Sequence, residues 1–497
     1  MSIENFPPVM FAGLVLVMLL GFPVAFSLAA LGLGCAGYAI AMGWFAPVFL
    51  VNLPLNIFNI LSNELLLAIP FFTMMGSILE KCGLAEDMLD SMGQLFGSVR
   101  GGLGYSVIIV GFILGAITGT VAGQIIAMAL IAFPVMVRYG YSMRYTTGVL
   151  AASGTITQLV PPSLVLIVLA DQLGRSVGDM YKGAWGPSLL QVAIFALYTF
   201  LLGVFRPQDV PGVDKATRTA SGWRLWARCL RGIVPSAVLI FAVLGSMGGL
   251  PGIDTAICTP TEAGAMGVVG ALLLAASHGR LNWPLLRDAM HGTMRITAMV
   301  VFILIGARVF SLVFQGVDGA RWIEHQLTSL PGGQVGFLIF VNVFIFFLAF
   351  FLDFFEIAFI IIPMIGPVAD KLGIDLVWFG VMLCVNMQTS FMHPPFGFAL
   401  FYLRGIADTL YREKRLPRPV PSSDIYWGAL PWVGMQLILV VIVIFVPRSV
   451  TIFLDKPQVL DLDKVHIEAP AREPAAPDAK PANLDELFQR SGKADPH

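Results

Sequence analysis

The stretch "SGTITQLVPPS", residues 153–163, interrupts an apolar segment that covers residues 145–171. Two adjacent prolines remove backbone N–H donors and cannot continue a regular helix. Within a bilayer, non-helical backbone is tolerated only where protein or a water-filled cavity satisfies its polar groups. The stretch therefore predicts a membrane helix that is interrupted at the two prolines, with Ser and Thr hydroxyls beside the interruption.

The composition around this break is that of a membrane protein. The chain has 497 residues, of which 57% are hydrophobic and 12% are charged, while soluble proteins carry about 25% charged residues. We predict an all-α polytopic membrane protein with about 10–11 transmembrane helices. The apolar segments cover residues 8–42, 45–61, 64–80, 103–138, 145–171, 185–205, 233–250, 261–278, 294–316, 335–370, 376–403 and 427–447.

Two of these segments, 103–138 and 335–370, are too long for one span of about 20 residues and too short for two spans with a loop. Each has small or polar residues in its middle: "GAITGTVAGQ" at 115–124 and "LDFFE" at 352–356. This pattern predicts two re-entrant helical hairpins, with tips at 118–123 and 351–356.

Each predicted hairpin is followed by a double proline, and the two regions align without a gap. Residues 133–163 fall on 366–396 with a constant offset of 233, so that Pro134 matches Pro367. The other matching positions are Gly140 with Gly373, Pro161-Pro162 with Pro394-Pro395, and Ser153, Thr155 and Thr157 with Asn386, Gln388 and Ser390. We interpret this as an internal repeat of a hairpin and a broken helix.

The basic loops predict how the repeats are oriented. Loops 206–231 and 404–418 are rich in Lys and Arg, which places both in the cytoplasm. Counting back along the chain, the first hairpin opens to the cytoplasm and the second to the periplasm, where residues 371–375 lie. The repeat is then inverted and the C-terminus is periplasmic. If 103–138 were a plain span, Arg100 would change sides, and the side of the N-terminus stays open.

The breaks themselves indicate the chemistry. Free carbonyl oxygens and hydroxyls at the end of a half-helix suit a dehydrated Na⁺, and the N-terminus of the next half-helix suits an anionic group. Two opposed hairpin tips that meet two broken helices predict a carrier site for a small anion and coupled cations.

The sequence also resembles the large membrane subunit of tripartite ATP-independent periplasmic (TRAP) transporters, over nearly the whole chain to about residue 450. The stretches that carry the resemblance are "LLLAIPFFTMMGSILEKCGL" (65–84), "GAITGTVAGQIIAMALIAFPVMVRYGYS" (115–142), "LVPPS" (159–163), "TPTEAGAMGVVGALLL" (259–274) and "MHPPFGFALFYLRGIA" (392–407). The resemblance implies an elevator-type, Na⁺-driven importer of organic acids in the bacterial inner membrane. It also implies two partners, a small four-helix membrane subunit and a soluble periplasmic substrate-binding protein, and no cofactor besides the coupling Na⁺. Beyond these partners we expect the lipid bilayer and no nucleic acid.

The resemblance places cation sites at the hairpin tips and the facing breaks. For the first repeat the implied residues are Thr118, Gly119, Thr120, Ser153, Gly154 and Thr155, and for the second they are Leu352, Asp353, Asn386, Gln388 and Thr389. The expected substrate-binding residues are Thr157, Pro161, Pro162, Ser390, Pro394 and Pro395. Two residues depart from the family pattern: Gln124 follows a tip where acidic or small residues are also common, and His393 stands where Thr is usual.

The same resemblance predicts six regions along the chain. They are 1–100 (scaffold helices, with an interfacial arm at 81–100), 101–184 (first hairpin and broken helix), 185–334 (scaffold helices), 335–403 (second hairpin and broken helix), 404–454 (a loop and the last transmembrane helix) and 455–497 (a disordered polar tail).

Several residues have alternative roles. Asp353 can bind a cation or cap a returning half-helix, whereas Glu262 fits a capping box with Thr259 better than an ion contact. Arg308 can attract an anionic substrate, although snorkelling to a headgroup or pairing with an acid is favoured. The Ser and Thr groups at 153–157 can instead bond to their own helix backbone.

Other functions were weighed against the importer. A stand-alone Na⁺-coupled divalent-anion symporter of related fold is the alternative. A membrane-embedded enzyme is disfavoured because the sequence has no HExxH or GxSxG motif, and an ATP-driven pump because it has no GxxxxGK[ST] motif. The five scattered cysteines indicate neither a disulfide framework nor a metal site.

The predicted orientation can be tested by thiol labelling in a chain whose native cysteines are replaced by serine. We expect Lys215→Cys to react with an impermeant reagent only after the inner membrane is opened, because loop 206–231 is cytoplasmic. Lys371→Cys should react in spheroplasts with an intact inner membrane. Labelling of both positions from the same side would contradict an inverted repeat, and the cysteine-free chain is the control.

Overall fold

The computed structural model describes residues 3–96, 99–212, 223–253, 255–350, 352–394 and 397–454. Within these ranges the regular structure is helical and contains no strand. The polar tail predicted at 455–497 lies outside the described residues, as do residues 213–222 of the basic loop 206–231.

The helices follow the apolar segments of the sequence. They are α1 (Phe6–Leu19), α2 (Val24–Ala41), α3 (Val48–Val51), α4 (Leu53–Leu61), α5 (Glu64–Lys81), α6 (Leu84–Phe96), α7 (Gly102–Thr118), α8 (Val121–Arg138), α9 (Met143–Thr155), α10 (Leu164–Leu173), α11 (Val177–Phe205), α12 (Trp223–Ser246), α13 (Pro260–Ser277), α14 (Trp283–Gly316), α15 (Gly319–Thr328), α16 (Gly333–Leu348), α17 (Phe354–Glu356), α18 (Ile362–Lys371), α19 (Leu376–Met387), α20 (Phe398–Arg412), α21 (Ser422–Phe445) and α22 (Arg448–Thr451). Short 3₁₀ turns cover Ile3–Asn5, Ile156–Gln158 and Gln388–Phe391, and a π-helical turn covers Ile357–Ile361.

The prediction of an all-α multi-pass membrane protein is confirmed. In the described part of the chain, seven helices are long and apolar enough to cross a bilayer, or up to nine if each of two bent pairs counts as one span. The segment 8–42 forms two helices, which separate where Gly21 adopts a positive φ of 75° before Pro23. The predicted total of about 10–11 spans includes shorter apolar helices, and it stays a prediction.

Helices α7 and α8 fold back on each other. Gly119, with φ of 61°, and Thr120 form the turn between them, a backbone conformation that glycine adopts readily. The Gln124 side chain donates to the Gly111 carbonyl at 2.6 Å, although these residues would lie about 20 Å apart along a straight helix. At the open end, the Leu103 amide donates to the Tyr141 hydroxyl at 3.1 Å. Helices α7 and α8 therefore form a hairpin, in which the start of α7 lies next to the end of α8.

The segment from α16 to α18 has the same form. The side chain of Gln334, at the start of α16, donates to the Leu372 carbonyl, just after α18, at 2.6 Å. Between them the chain turns at Asp353, whose carboxylate accepts from the Glu356 amide at 2.9 Å while the Glu356 carboxylate accepts from the Asp353 amide. This reciprocal cap starts the returning helix.

The helix bounds reproduce the 233-residue repeat that the sequence predicts. Shifted by this offset, α8 at 121–138 falls on 354–371, which is the range from α17 to α18. Likewise α9 falls on α19, and the first 3₁₀ turn falls on the second, within a residue. Each repeat therefore consists of a hairpin, a half-helix, a break and a second half-helix.

The two hairpins open at opposite ends of α21, a helix about 36 Å long. Beside the open end of the first, Arg144 pairs with Asp424 at the start of α21, with 3.1 Å between Nε and Oδ1. After the open end of the second, Trp378 Nε1 donates to the carbonyl of Val443 near the end of α21 at 2.9 Å. The hairpins point in opposite directions, as expected for an inverted repeat, and their depth in a bilayer stays a prediction.

Two isolated polar residues can now be placed. Glu262 and Thr259 form the predicted capping box at the start of α13, so capping is confirmed. Arg308 is exposed and donates to the side-chain oxygen of Asn56 at 3.1 Å. None of the described ion pairs joins it to an acid, and its contact with a headgroup or a substrate stays a prediction.

Helix α5 packs against the tip of the first hairpin at Gly76. A Cβ at Gly76 would lie 2.5 Å from the backbone oxygen of Thr118 and 2.9 Å from that of Ile117. Backbone atoms cannot move aside as a flexible side chain can, so only glycine allows this approach.

We expect Gly76→Ala to destabilise the protein by about 1–3 kcal/mol, because the methyl group overpacks the contact with the hairpin tip. Gly34→Ala in α2, where a Cβ would meet nothing within 4 Å, is the control and should gain about 0.5–1 kcal/mol from helix propensity. Thermal unfolding of both variants in detergent measures the difference. Equal behaviour of the two variants would refute the close contact.

Candidate functional site

The first break separates α9 from α10. After Thr155 the chain makes a 3₁₀ turn, and residues 159–163 are irregular and buried. Helix α10 then starts at Leu164, where the Ser163 hydroxyl accepts from the Val165 amide at 3.1 Å. Pro161 and Pro162 lie inside this irregular stretch, as the sequence predicts.

The second break separates α19 from α20 and faces the first. Its 3₁₀ turn covers Gln388–Phe391, and α20 starts at Phe398. The Cys384 thiol lies 3.2 Å from the Gln158 carbonyl oxygen, and Thr155 Oγ1 lies 3.5 Å from Met392 Sδ. Pro394 lies at this break, while Pro395 is outside the described residues.

Gln124 joins the first hairpin to the first break. Its Nε2 donates to the carbonyl oxygens of Gly111 and Ser153, both at 2.6 Å. Its Oε1 accepts from the hydroxyls of Thr118, at 3.2 Å, and Thr157. A carboxamide has two donor hydrogens and two acceptor positions, so this buried side chain uses all four.

The hydroxyl groups predicted as ligands in the first repeat form hydrogen bonds to backbone carbonyls of their own helix. Ser153 donates to the Leu150 carbonyl at 2.9 Å, and Thr155 donates to that of Ala152 at 3.0 Å. The single hydroxyl hydrogen of Thr157 is shared between Gln124 Oε1 and the Gly154 carbonyl oxygen, which lies 2.8 Å from Thr157 Oγ1. These bonds match the backbone-bonding alternative of the sequence analysis, and the cation-binding role of these residues stays a prediction.

The second repeat is held by amide groups. Asn386 Nδ2 donates to the Asn342 carbonyl at 2.8 Å, and Gln388 Oε1 accepts from Gln191 Nε2 at 2.7 Å. The hydroxyls of Thr389 and Ser390 donate to carbonyls three residues back, those of Asn386 and Met387. The two breaks thus contain hydroxyls and amides in place of formal charges.

Several buried polar atoms around the breaks have no hydrogen-bond partner among the described residues. They are Gln158 Oε1, Gln191 Oε1, Asn342 Oδ1, Gln388 Nε2, Gln436 Oε1 and both ring nitrogens of His393. A buried polar atom without a partner costs about 1–3 kcal/mol, so native proteins retain such atoms mainly where water, an ion or a ligand meets them. Neutral oxygens of this kind suit a monovalent cation.

His393 is enclosed by aromatic rings. Its ring stacks on Phe350 with 3.8 Å between centroids, and Phe346 meets it edge-on at 5.4 Å. His393 is 3% exposed, so its ring is packed inside the second repeat.

Asp353 acts as a helix cap. Among the described hydrogen bonds, none joins Asp353 to Asn386, Gln388 or Thr389, and the neighbouring Leu352 is buried. In the first repeat, hydrogen bonds join Thr118, Ser153 and Thr157 to Gln124, whereas none of the described hydrogen bonds joins the Asp353 turn to the second break.

Four residues were missed in the sequence. Gln191, Asn342 and Gln436 are single amides within the apolar helices α11, α16 and α21, and Gln436 Nε2 donates to Thr155 Oγ1 at 2.9 Å. Glu80 places a carboxylate oxygen where a Cβ on Gly123 would be 2.6 Å away. The available signal was an isolated polar residue in an apolar run, since such residues in membranes pair or serve function.

Among the described residues, no group of three or more His, Cys, Asp or Glu could hold a metal ion. The five cysteines are free thiols in the structure.

Comparison with known proteins points to one family. Residues 11–449 match a family model described as "Tripartite ATP-independent periplasmic transporter, DctM component". The chain is 27% identical over 416 residues to the C4-dicarboxylate TRAP transporter large permease protein DctM of Pseudomonas aeruginosa, which covers 84% of this chain and 92% of that one. It is 25% identical to the 2,3-diketo-L-gulonate TRAP transporter large permease protein YiaN of Escherichia coli, over 86% and 94% of the two chains.

The chain is also similar to a longer relative and to a protein of known structure. The isethionate TRAP transporter permease protein DctMQ of Oleidesulfovibrio alaskensis is 25% identical over 88% of this chain and 65% of its own length. The fold is similar to that in the crystal structure of the Alcanivorax borkumensis YdaH transporter, with a TM-score of 0.55 and 17% identity over 81% and 87% of the two chains.

The contact between Gln191 and Gln388 can be tested by a double-mutant cycle. Gln191→Leu or Gln388→Leu alone should cost about 1–3 kcal/mol, because each leaves the other amide buried without its partner. The double variant should cost less than the sum of the two. Thermal unfolding provides the measurement, and strictly additive effects would contradict a direct bond.

Proposed function

The chain belongs to the DctM family of tripartite ATP-independent periplasmic transporters, and we propose that, as the large membrane subunit, it imports a small organic acid with Na⁺ as the coupling ion. The observation that carries this proposal is the pair of facing breaks with unpartnered, uncharged oxygens beside them. Such breaks are where secondary transporters hold substrate and cations.

The relatives support the class of substrate. Those reported above are named for a C4-dicarboxylate, for 2,3-diketo-L-gulonate and for isethionate. All three are small organic anions. The N-termini of α10 and α20, which follow the breaks, carry partial positive charge and suit such an anion.

We assign the cation to the hairpin tips and the half-helix ends, with the ligand residues that the sequence predicts. The substrate lies between the two breaks, against Thr157, Ser390 and the two proline pairs. Broken helices free the carbonyl oxygens that would replace the hydration shell of a cation. Gln158 and Gln436, which face this region with unpartnered oxygens, join the predicted residues as candidate ligands.

Transport in this proposal moves the hairpins and broken helices as a unit against the remaining helices, as in an elevator. The opposite directions of the two hairpins give the site one approach from each side.

Two partners belong to the proposal. A small four-helix membrane subunit would complete the scaffold, and a periplasmic substrate-binding protein would deliver the substrate. The name DctMQ of the longer relative supports the first partner. The family match supports both partners against a stand-alone symporter.

The experiment is uptake into proteoliposomes that contain this chain and its small subunit, with the binding protein and a labelled organic acid outside. We expect uptake only with an inward Na⁺ gradient and with the binding protein present. Replacing Na⁺ by choline, and omitting the binding protein, are the two controls.

Each control has its own consequence. Uptake with Na⁺ but without the binding protein would favour the stand-alone symporter. Uptake that is unchanged in choline would refute Na⁺ coupling. Asp353→Asn keeps a capping oxygen, so a loss of transport in Asp353→Ala that Asp353→Asn does not share would identify a cap rather than a charged ligand.

A further inference from the structure

The two repeats differ at one position in a way that bears on ion binding. Gln124 lies in the first hairpin, and the residue 233 positions later is Ile357. The isoleucine has no polar group, so the second repeat lacks the side chain that joins hairpin to break in the first. The two repeats therefore have similar helix bounds but different side chains at this position, a carboxamide in the first and an aliphatic group in the second.

In the first repeat an amide occupies the centre of four oxygens. The carbonyls of Gly111 and Ser153 accept from Nε2, and the hydroxyls of Thr118 and Thr157 donate to Oε1. Backbone carbonyls and hydroxyls at a hairpin tip and a helix break are also the ligands that suit a dehydrated Na⁺. The NH₂ group supplies positive hydrogens to the two carbonyls without the cost of dehydrating an ion.

In the second repeat, polar atoms remain without partners. Asn342 Oδ1 and Gln388 Nε2 are buried and unpartnered within the described structure, and so is Gln191 Oε1 beside Gln388. Outside the Gln124 cluster, the first break has unpartnered oxygens at Gln158 Oε1 and at Gln436 Oε1 beside Thr155, and the Gln158 carbonyl also contacts Cys384 of the second repeat. Hydrogen-bonding capacity is saturated around Gln124 and unsaturated at these other positions.

We propose that the Gln124 carboxamide takes the place of a cation in the first repeat, so that the coupling Na⁺ binds at the second repeat alone. This inference rests on the proposed function and narrows its cation ligands to the second repeat and its neighbours. Gln124 is then a positioning residue, which holds the first hairpin against its broken helix in every ion-bound state.

The test replaces the amide by a group that needs a cation. In Gln124→Glu, carboxylate oxygens would face the carbonyls of Gly111 and Ser153, and a bound cation or a proton would have to bridge them, so the measurement is made at alkaline pH, where the proton competes least. Gln334→Glu adds the same charge at the exposed open end of the other hairpin and is the matched control. Thermal unfolding of the complex with its small subunit is recorded in NaCl and in choline chloride at equal ionic strength.

We expect NaCl to raise the melting temperature of Gln124→Glu by more than it raises that of the wild type or Gln334→Glu. A ligand that binds only the folded state stabilises it in proportion to the logarithm of its concentration. In the uptake assay, the Hill coefficient for Na⁺ should rise in Gln124→Glu, because one site is added and the number of sites is the upper limit of that coefficient.

Gln124→Ala covers the case in which the new charge prevents folding. It leaves the four oxygens without the amide, so Na⁺ should stabilise Gln124→Ala more than the wild type. Equal responses to Na⁺ in the wild type and in whichever Gln124 variant folds would overturn the inference. A smaller response in the variants would overturn it too, because it would mean that Na⁺ binds beside Gln124 in the wild type.

The outcomes separate this inference from the proposed function. Na⁺-driven uptake by the wild type, with unchanged Na⁺ responses in the Gln124 variants, refutes the inference and leaves the function intact. Wild-type uptake that ignores Na⁺, with a gained Na⁺ response in the variants, refutes Na⁺ coupling and supports the role of Gln124.

Discussion

The structure depends on how backbone carbonyls are satisfied where a helix is broken in an apolar interior. No solvent is available there to replace a missing partner, so each freed group must find one in the protein or in a ligand. Around the first break the Gln124 amide donates to the Ser153 carbonyl, and the Ser163 hydroxyl donates to the Gln158 carbonyl. Around the second, the Thr389 hydroxyl donates to the Asn386 carbonyl. In the first repeat it is the hairpin that brings Gln124 to the break.

Much of this architecture could be predicted from the sequence because proline and glycine act locally. Pro161-Pro162 mark the first break, Gly119 marks the first hairpin turn, and the offset of 233 residues between Pro134 and Pro367 predicts the second repeat. The opposed directions of the hairpins follow from the charges of two loops. These features depend on the φ angle that glycine allows, on the backbone N–H that proline lacks and on the lengths of apolar segments. Each of these is a property of a short stretch of sequence.

The contacts of the site could not be predicted in the same way. Gln191 and Gln436 belong to helices that were assigned to other regions of the chain, and only the packing of α11 and α21 brings them to the breaks. Gln124 was noticed as a departure from a family pattern, but its four bonds reach residues up to 33 positions away. Asp353 had two roles open, and its capping bond became visible only with the backbone at Glu356, while its cation-binding role stays a prediction.

The groups at the centre are amides, which carry dipoles and no net charge. Moving one elementary charge through the whole membrane is worth about 2.3 kcal/mol per 100 mV. Gln124, Gln388 and Gln436 can change their depth in the bilayer without doing work against this potential. In the proposed function, the electrical force would then act on the coupling ions and the anion alone, and their summed charge would decide whether voltage favours the loaded or the unloaded step.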